Sequence, residues 1–368
     1  MSAEATAGAM VDELGKLVSC ESPSSDLDAV ARSGEVVADL GTRLTGTAPE
    51  VIVLSGRTHL RWRFGRPGRV LLVGHHDTVW PIGSLREHPF RVVDGKAYGP
   101  GCFDMKAGLV QMFHALAACR DLDGVTVLVT GDEELGSPSA RPLIEGEAGQ
   151  AAAALVLEAS ADGGALKTAR RGASFYEIRI AGTAAHAGLE PWNGANATVE
   201  AAHQVLALAA LDRGPHGVTV TPTTMSAGTA ANTVPAGASV MVDVRAGTRE
   251  EQQATDAAIR ALTPHTPGTS VHVDRRASHV PLEESASADL FALAERVAAD
   301  LGLGPLSAAH VGGASDGNIT AGAGTPTLDG LGAVGGNAHA VGEHVVVDAM
   351  PVRARLLQGL VDALVTKP

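Results

Sequence analysis

Three short apolar runs in this chain each lead into acidic residues, and one also delivers a histidine. Val70-Leu71-Leu72-Val73 precedes Gly74-His75-His76-Asp77. Val125-Thr126-Val127-Leu128-Val129-Thr130 precedes Gly131-Asp132-Glu133-Glu134, and Ala154-Leu155-Val156-Leu157 precedes Glu158. Imidazole and carboxylate without thiolate suit zinc and related first-row metals. With Asp104 and His339 added, five side chains could act as ligands: His75, Asp104, Glu134, Glu158 and His339. Two ions need more than four ligand atoms, so one carboxylate must bridge. A bidentate carboxylate spans the roughly 3.5–4 Å between ions in two-metal hydrolases, and Asp104 is the natural bridge. Asp77 falls two residues after His75, on the same side of an extended backbone. It is expected to accept a hydrogen bond from the imidazole nitrogen that faces away from the metal. Glu133 adjoins Glu134, and a carboxylate that is not a ligand is free to act as general base. Taken singly, each of these residues reads more readily as ordinary surface or core. The joint pattern is what suggests a metal hydrolase.

Positioning these groups requires strands that end on one edge. Apolar runs bounded by polar residues or Gly read as buried strands, and ligands gather at the carboxyl ends of strands in open α/β sheets. Helical spacing covers 8–19 and 27–43, with Ser24, Ser25 and Asp26 as candidate caps. Strands are expected over 50–63 and 69–74, a helix over 105–119 with Asp104 near its start, and strands at 125–130 and 153–157. The pattern changes near residue 170. A half-exposed strand at 173–182 is followed by a helix at 194–211, strands at 217–226 and 236–245, a helix at 249–262 and a strand at 269–274. That β-α-β-β-α-β order fits a split-βαβ, ferredoxin-like unit. Helical spacing returns at 287–301, then a strand at 325–328 and a closing helix at 348–365. The expected division is 1–170 with 282–368 as one domain and 171–281 as an insert.

The 368 residues suffice for one large or two ordinary domains. A net charge of −13 argues against nucleic acid and anionic membrane as partners. Cys20, Cys102 and Cys119 make no disulfide framework and read as reduced thiols, with Cys102 a small buried hydrophobe. Glu4, Asp12 and Glu13 lie where a signal peptide would need a basic and then an apolar region. No apolar stretch is long enough to span a bilayer, so a cytoplasmic protein is expected. His76 reads as a packed neighbour of His75. Arg170-Arg171 reads equally as charge near a pocket or as a solvated turn.

Gly74-His75-His76-Asp77-Thr78-Val79, Tyr98-Gly99-Pro100-Gly101-Cys102-Phe103-Asp104-Met105-Lys106-Ala107-Gly108 and Gly131-Asp132-Glu133-Glu134-Leu135-Gly136-Ser137 together resemble the co-catalytic zinc aminoacylase/carboxypeptidase family. That family includes acetylornithine deacetylase, succinyl-diaminopimelate desuccinylase and glutamate carboxypeptidase. Later segments agree: Ala185-His186-Ala187-Gly188, Ala231-Asn232-Thr233-Val234-Pro235, Asp243-Val244-Arg245, Gly312-Gly313-Ala314-Ser315-Asp316-Gly317-Asn318 and Gly335-Gly336-Asn337-Ala338-His339. The resemblance implies an α/β fold: a mixed-sheet zinc-peptidase catalytic domain with an inserted ferredoxin-like lid that also dimerises. It implies two Zn2+, with Co2+ or Mn2+ as possible substitutes. His75 and Glu158 would hold one ion, Glu134 and His339 the other, and Asp104 would bridge. Glu133 would be general base, Asp77 would orient, and His186 would polarise the scissile carbonyl. Asn232, Arg245, Gly313 and Ser315 would bind the substrate, a small peptide or N-acyl amino acid.

Segments Ser315-Asp316-Gly317-Asn318 and Thr325–Gly332 are most similar to the glutamate carboxypeptidase branch. Release of C-terminal glutamate or a similar residue is therefore the first functional expectation. N-acyl-amino acid deacylation or dipeptide hydrolysis is the second, and a catalytically silent dimeric scaffold the third. The stretch Ala340-Val341-Gly342-Glu343 departs slightly from the family pattern and is expected to touch no ligand.

Overall fold

The computed structural model describes residues 3–366. They form two compact units. The first takes the chain up to Ala169, Leu282–Val311 and the chain from Ser315 onward, and the second takes Arg170–Pro281 with Gly312–Ala314.

A six-stranded sheet organises the first unit. Its order is Glu50–Leu54, Arg57–Phe64, Val125–Thr130, Val70–His75, Ala153–Val156 and Thr327–Leu328. Val70–His75 runs parallel to both of its neighbours, while Arg57–Phe64 is antiparallel to Val125–Thr130. The uninterrupted apolar runs have a packing cause, because both faces of the central strands are covered. On one face Leu72, Val127, Val129 and Leu155 join Trp62 and Phe113 under the helices Leu27–Thr45, Ala107–Ala118 and Ala349–Val365. On the other, Leu71, Val73, Leu128, Ala154 and Val156 pack on Ile144 of Arg141–Ala148 and Ile319 of Asp316–Gly322.

From Val70–His75 the chain goes first to the strand on one side and later to the strand on the other. His75 therefore ends the strand at which the sheet's connectivity reverses, the crevice where such sheets place ligands. Asp104 precedes rather than opens its helix. It lies in the irregular turn Cys102–Lys106, and regular helix begins at Ala107. A small sheet, absent from the sequence expectation, pairs Gly335–Gly336, His344–Val346, Lys96–Tyr98 and Arg91–Val93 in that order.

The second unit has an antiparallel sheet ordered Thr219–Ala227, Gly237–Ala246, Gly172–Ala181 and Ser270–His279. The helices Ala197–Ala209 and Arg249–Arg260 supply Ala201, Leu208 and Ile259 to a core with Tyr176, Ile178, Val240 and Val242. The second helix is closed at its start by a capping box between Thr248 and Glu251. Among the described residues no helix is long and apolar enough to cross a membrane.

Candidate metal centre

Strand ends and loops of the first unit bring five side chains together. His75 is the last residue of its strand, Glu134 lies in the turn Glu133–Leu135 just after Val125–Thr130, and Glu158 follows Ala153–Val156. Position 332 must be glycine for this edge to close. Its amide donates to the Glu158 carbonyl at 2.8 Å, and a Cβ there would stand 2.2 Å from the Leu157 carbonyl oxygen. His339 arrives on the loop between the short strands Gly335–Gly336 and His344–Val346. Asn337 and His339 both adopt left-handed φ near +60°, a conformation non-glycine residues rarely hold outside constrained sites.

Nε2 of His75 lies 3.3 Å from Asp104 Oδ1 and 3.5 Å from Glu158 Oε1. Nε2 of His339 lies 3.2 Å from both Asp104 Oδ2 and Glu134 Oε1. The two oxygens of Asp104 thus face different imidazoles. Two triads with geometry suited to a metal share this one carboxylate: His75, Asp104 and Glu158, then Asp104, Glu134 and His339.

The donors fit cations. A neutral imidazole Nε2 can donate to only one acceptor, yet each of these faces two carboxylates. Glu134 Oε1 is buried without a hydrogen bond, a cost that a cation would remove. The electrostatics agree. Burial alone would depress His75, but Asp104, Asp77 and Glu158 outweigh it and hold its pKa well above the usual value. Asp104 and Glu134 raise His339 to about 10. Burial would raise Asp104, but His339 and His75 keep it well below the ordinary carboxylate range. Burial, then the negative charges of Glu158, Asp316 and Glu134, push Glu133 well above its usual value.

Asp77 meets His75 through both its backbone and its side chain. His75 Nδ1 lies 3.0 Å from the Asp77 backbone carbonyl and 3.5 Å from its carboxylate. The carboxylate also accepts the backbone N–H groups of Glu133 (3.2 Å) and Glu134 (3.3 Å), with the Ser24 hydroxyl at 2.6 Å. One buried residue thereby ties the first ligand to the acidic pair. Below that pair, the Gly131 amide donates to His59 Nδ1, which leaves Nε2–H facing Ser139 Oγ at 3.1 Å. Ser139 in turn donates to Asp132 at 2.6 Å. Asp316 receives the hydroxyls of Ser137 and Thr130 from the same turn and strand. Nothing in the sequence marked His59, Ser139 or Asp316 for this task, since each acts through residues distant in the chain.

Other residues match the expectation or depart from it through their contacts. Ser315 is buried and caps the helix Asp316–Gly322: its hydroxyl accepts from the Gly317 amide and donates to Asp329 at 2.7 Å. Its own amide, the kind of group expected to meet a substrate carboxylate, donates to Asn318 Oδ1 at 2.9 Å. Glu343 does touch a ligand residue, because it accepts the backbone N–H of Asp104 at 3.0 Å. His76 is fully buried and hydrogen-bonds the Thr58 carbonyl through Nε2, as a packed neighbour should. Cys102 is buried, and burial pushes its thiol far up. Arg170 is buried and donates to the Gly313 carbonyl at 3.0 Å, while Arg171 donates to the Pro215 carbonyl.

In the second unit, His186 and Asn232 sit together. Ala185–His186 pairs with Thr233–Val234, and the Ala187 amide donates to the Asn232 carbonyl. His186 Nδ1 accepts from the Gly188 amide at 3.1 Å, so its proton resides on Nε2. The Arg245 fork is engaged by Asp243 through two bonds of 2.7 and 2.8 Å, with Phe175 beneath the guanidinium.

Strand-end imidazole and carboxylate groups that could hold a metal, with a further glutamate beside them, fit a metal-dependent hydrolase. The chain belongs to peptidase family M20/M25/M40, whose model matches residues 71–363. It is 34% identical to carboxypeptidase G2 of Pseudomonas sp. (strain RS-16), over 69% of this chain and 63% of that protein's length. With the succinyl-diaminopimelate desuccinylase of Thioalkalivibrio sulfidiphilus it shares 27% identity, over 83% of this chain and 86% of the relative. The fold is that of aminopeptidase PepT from Bacillus cereus, with a TM-score of 0.77 at 22% identity and coverage of 98% and 99%. It is also that of an M20 family metallo-carboxypeptidase from Sulfolobus solfataricus, with a TM-score of 0.73 at 14% identity and coverage of 97% and 98%.

Proposed function

We propose that the protein is a dinuclear zinc carboxypeptidase. It hydrolyses an amide whose leaving amine is an amino acid with a free carboxylate, glutamate or a similar residue. One observation carries the dinuclear reading: the two oxygens of Asp104 face separate imidazoles, His75 and His339. His75, Glu158 and Asp104 would hold one ion, and Glu134, His339 and Asp104 the other, with cobalt or manganese able to substitute. When bound, the ions supply Lewis acidity toward the scissile carbonyl and lower the pKa of a water.

Glu133 takes the proton from that water and returns it to the leaving amine. A carboxylate beside a ligand but not itself one is free for both halves of the task. His186 donates Nε2–H to the carbonyl oxygen as negative charge develops there. Asn232 and the Gly313 backbone contact the substrate. Arg245 exchanges Asp243 for the substrate carboxylate, the bidentate geometry its fork already makes. The second unit acts as lid and dimer contact.

Similarity to carboxypeptidase G2 favours this substrate class. Similarity to succinyl-diaminopimelate desuccinylases supports a second reading, N-acyl-amino acid deacylation, in which the acyl group is selected. Two experiments test the proposal. Glu133→Ala should retain the metal content of the wild type and lose at least about 10³-fold in kcat; retained turnover rejects the general-base role. A panel that varies the acyl group against fixed glutamate, and then the reverse, separates the substrate readings. Turnover that follows the acyl group and ignores the amino acid rejects the carboxypeptidase.

A further inference from the structure

Glu343 is the most fully engaged carboxylate near the site, and none of its partners is a side-chain cation. One oxygen accepts the backbone N–H groups of Phe103 at 2.9 Å and Asp104 at 3.0 Å. The other accepts the Gly101 amide at 2.9 Å and the Trp80 indole N–H at 2.7 Å. Four donors use the four lone-pair directions of a carboxylate, so Glu343 has none left to offer an ion. The residue is 2% exposed. Gly101 takes φ +67° here, and a Cβ on it would stand 2.4 Å from the Thr78 methyl. The loop that presents Asp104 is therefore shaped around Glu343.

The same residue anchors the other ligand segment. Its amide donates to the Ala340 carbonyl, closing the turn just after His339, and its carbonyl accepts the Gly99 amide. His344–Val346 then pairs directly with Lys96–Tyr98. Asp104 and Glu343 are 239 positions apart in the chain, yet one residue holds both segments: its carboxylate the turn of the bridging ligand, its backbone the base of the His339 loop. His75 and Glu158 come from strand ends of the large sheet, and Glu134 is tied separately, its amide donating to Asp77.

We propose that Glu343 is a positioning residue that sets the affinity of the second ion, the one held by Asp104, Glu134 and His339, by locking the Asp104 and His339 segments into one unit. The inference rests on the dinuclear reading above. A carboxylate is required because every partner is a donor. An amide at this position would turn its NH2 toward two N–H groups and lose both bonds.

The test is a Zn2+ titration of chelator-stripped full-length protein against a competing chromophoric chelator, for wild type, Glu343→Gln and Trp80→Phe. Wild type should bind two ions. E343Q should bind the first within about threefold of wild type and the second about 10–100-fold more weakly, the usual size of such an effect. W80F removes one of the four donors and should weaken only the second ion, by a smaller factor. A purely structural role would lower the melting temperature of the stripped protein and leave both dissociation constants unchanged; that result overturns the inference. If E343Q fails to fold, W80F decides, and an unchanged second constant overturns it. A wild type that binds one ion overturns the dinuclear reading and this inference together. Two ions in wild type with equal affinities in both variants overturn the inference alone.

Discussion

The two halves of the candidate metal centre are built differently. The His75 and Glu158 side chains, only 1% and 9% exposed, extend from adjacent parallel strands of the large sheet. His339 is 48% exposed and hangs on a loop with left-handed backbone, while its partner Glu134 sits in a short turn. Hydrogen-bonded strands fix the first half with the core on both sides. The second half depends on buried carboxylates, Asp77 under the acidic pair and Glu343 under Asp104, to hold irregular backbone in place. A sheet edge can present one ion's ligands unaided. Completing a second ion beside it takes loops, and loops need their own buried acceptors.

Removing the imidazole from each half is the strongest way to break that contrast. His75→Ala leaves the buried carboxylates Asp77 and Glu158 without their cationic neighbour. It should cost about 3–5 kcal/mol in the stripped protein, as well as abolish binding of the first ion. His339→Ala removes a half-exposed group and should cost under about 1 kcal/mol of stability while eliminating the second ion. Calorimetry of stripped proteins with metal analysis of loaded ones measures both. Equal melting temperatures for the two variants would contradict the rigid-half, loop-half distinction.

Besides the shared Asp104, Asp77 also touches both halves, and Asp77→Asn tests how they are joined. Asparagine keeps one acceptor oxygen and presents an NH2 to either the Glu133 or the Glu134 amide. A loss of about 10–100-fold in kcat is expected, with the second ion weakened more than the first because His75 still bonds the backbone carbonyl at position 77. Steady-state kinetics beside metal titration would show it. Uniform weakening of both ions would mean that Asp77 acts mainly through His75.

Legibility in the sequence follows the same division. The central strands and their terminal ligands could be read because burial on both faces leaves continuous apolar runs, and each run ends in a polar signal. The β-α-β-β-α-β alternation of residues 172–279 was readable because its strands alternate over a half-covered face. The helices Arg141–Ala148 and Asp316–Gly322 escaped notice, being short and rich in Gly or Pro, although they cover the sheet's second face. The small sheet that joins Lys96–Tyr98 to His344–Val346 escaped as well. Its strands have two or three residues each, and the pairing of Lys96–Tyr98 with His344–Val346 is long-range. With it went the role of Glu343, whose four partners lie far away in sequence. Ser315 differs from its expectation for a related reason: within a Gly-rich segment a helix N-cap looks like a ligand-binding turn, and the bonds of its amide to Asn318 and of its hydroxyl to Gly317 and Asp329 show the cap.

The smallest effect expected concerns Asp316, which sits behind the acidic pair. Burial raises its pKa to about 7, with Glu158 adding to the rise and Ser137 and Thr130 opposing it. A raised folded-state pKa means that the folded chain holds this proton more tightly than the unfolded chain. The associated stability is complete below the ordinary value of 3.8 and is lost as pH rises through about 7. Asp316→Asn carries no charge and escapes that loss. In stripped protein the variant should match wild type near pH 4 and melt about 2–4 °C higher at pH 8. In loaded protein the bound cations would favour the ionised carboxylate, so the advantage should vanish or reverse. A pH series of melting curves, with and without metal, reads both signs. A gain that survives metal loading would show that Asp316 answers to burial alone and not to the charge of the cluster in front of it.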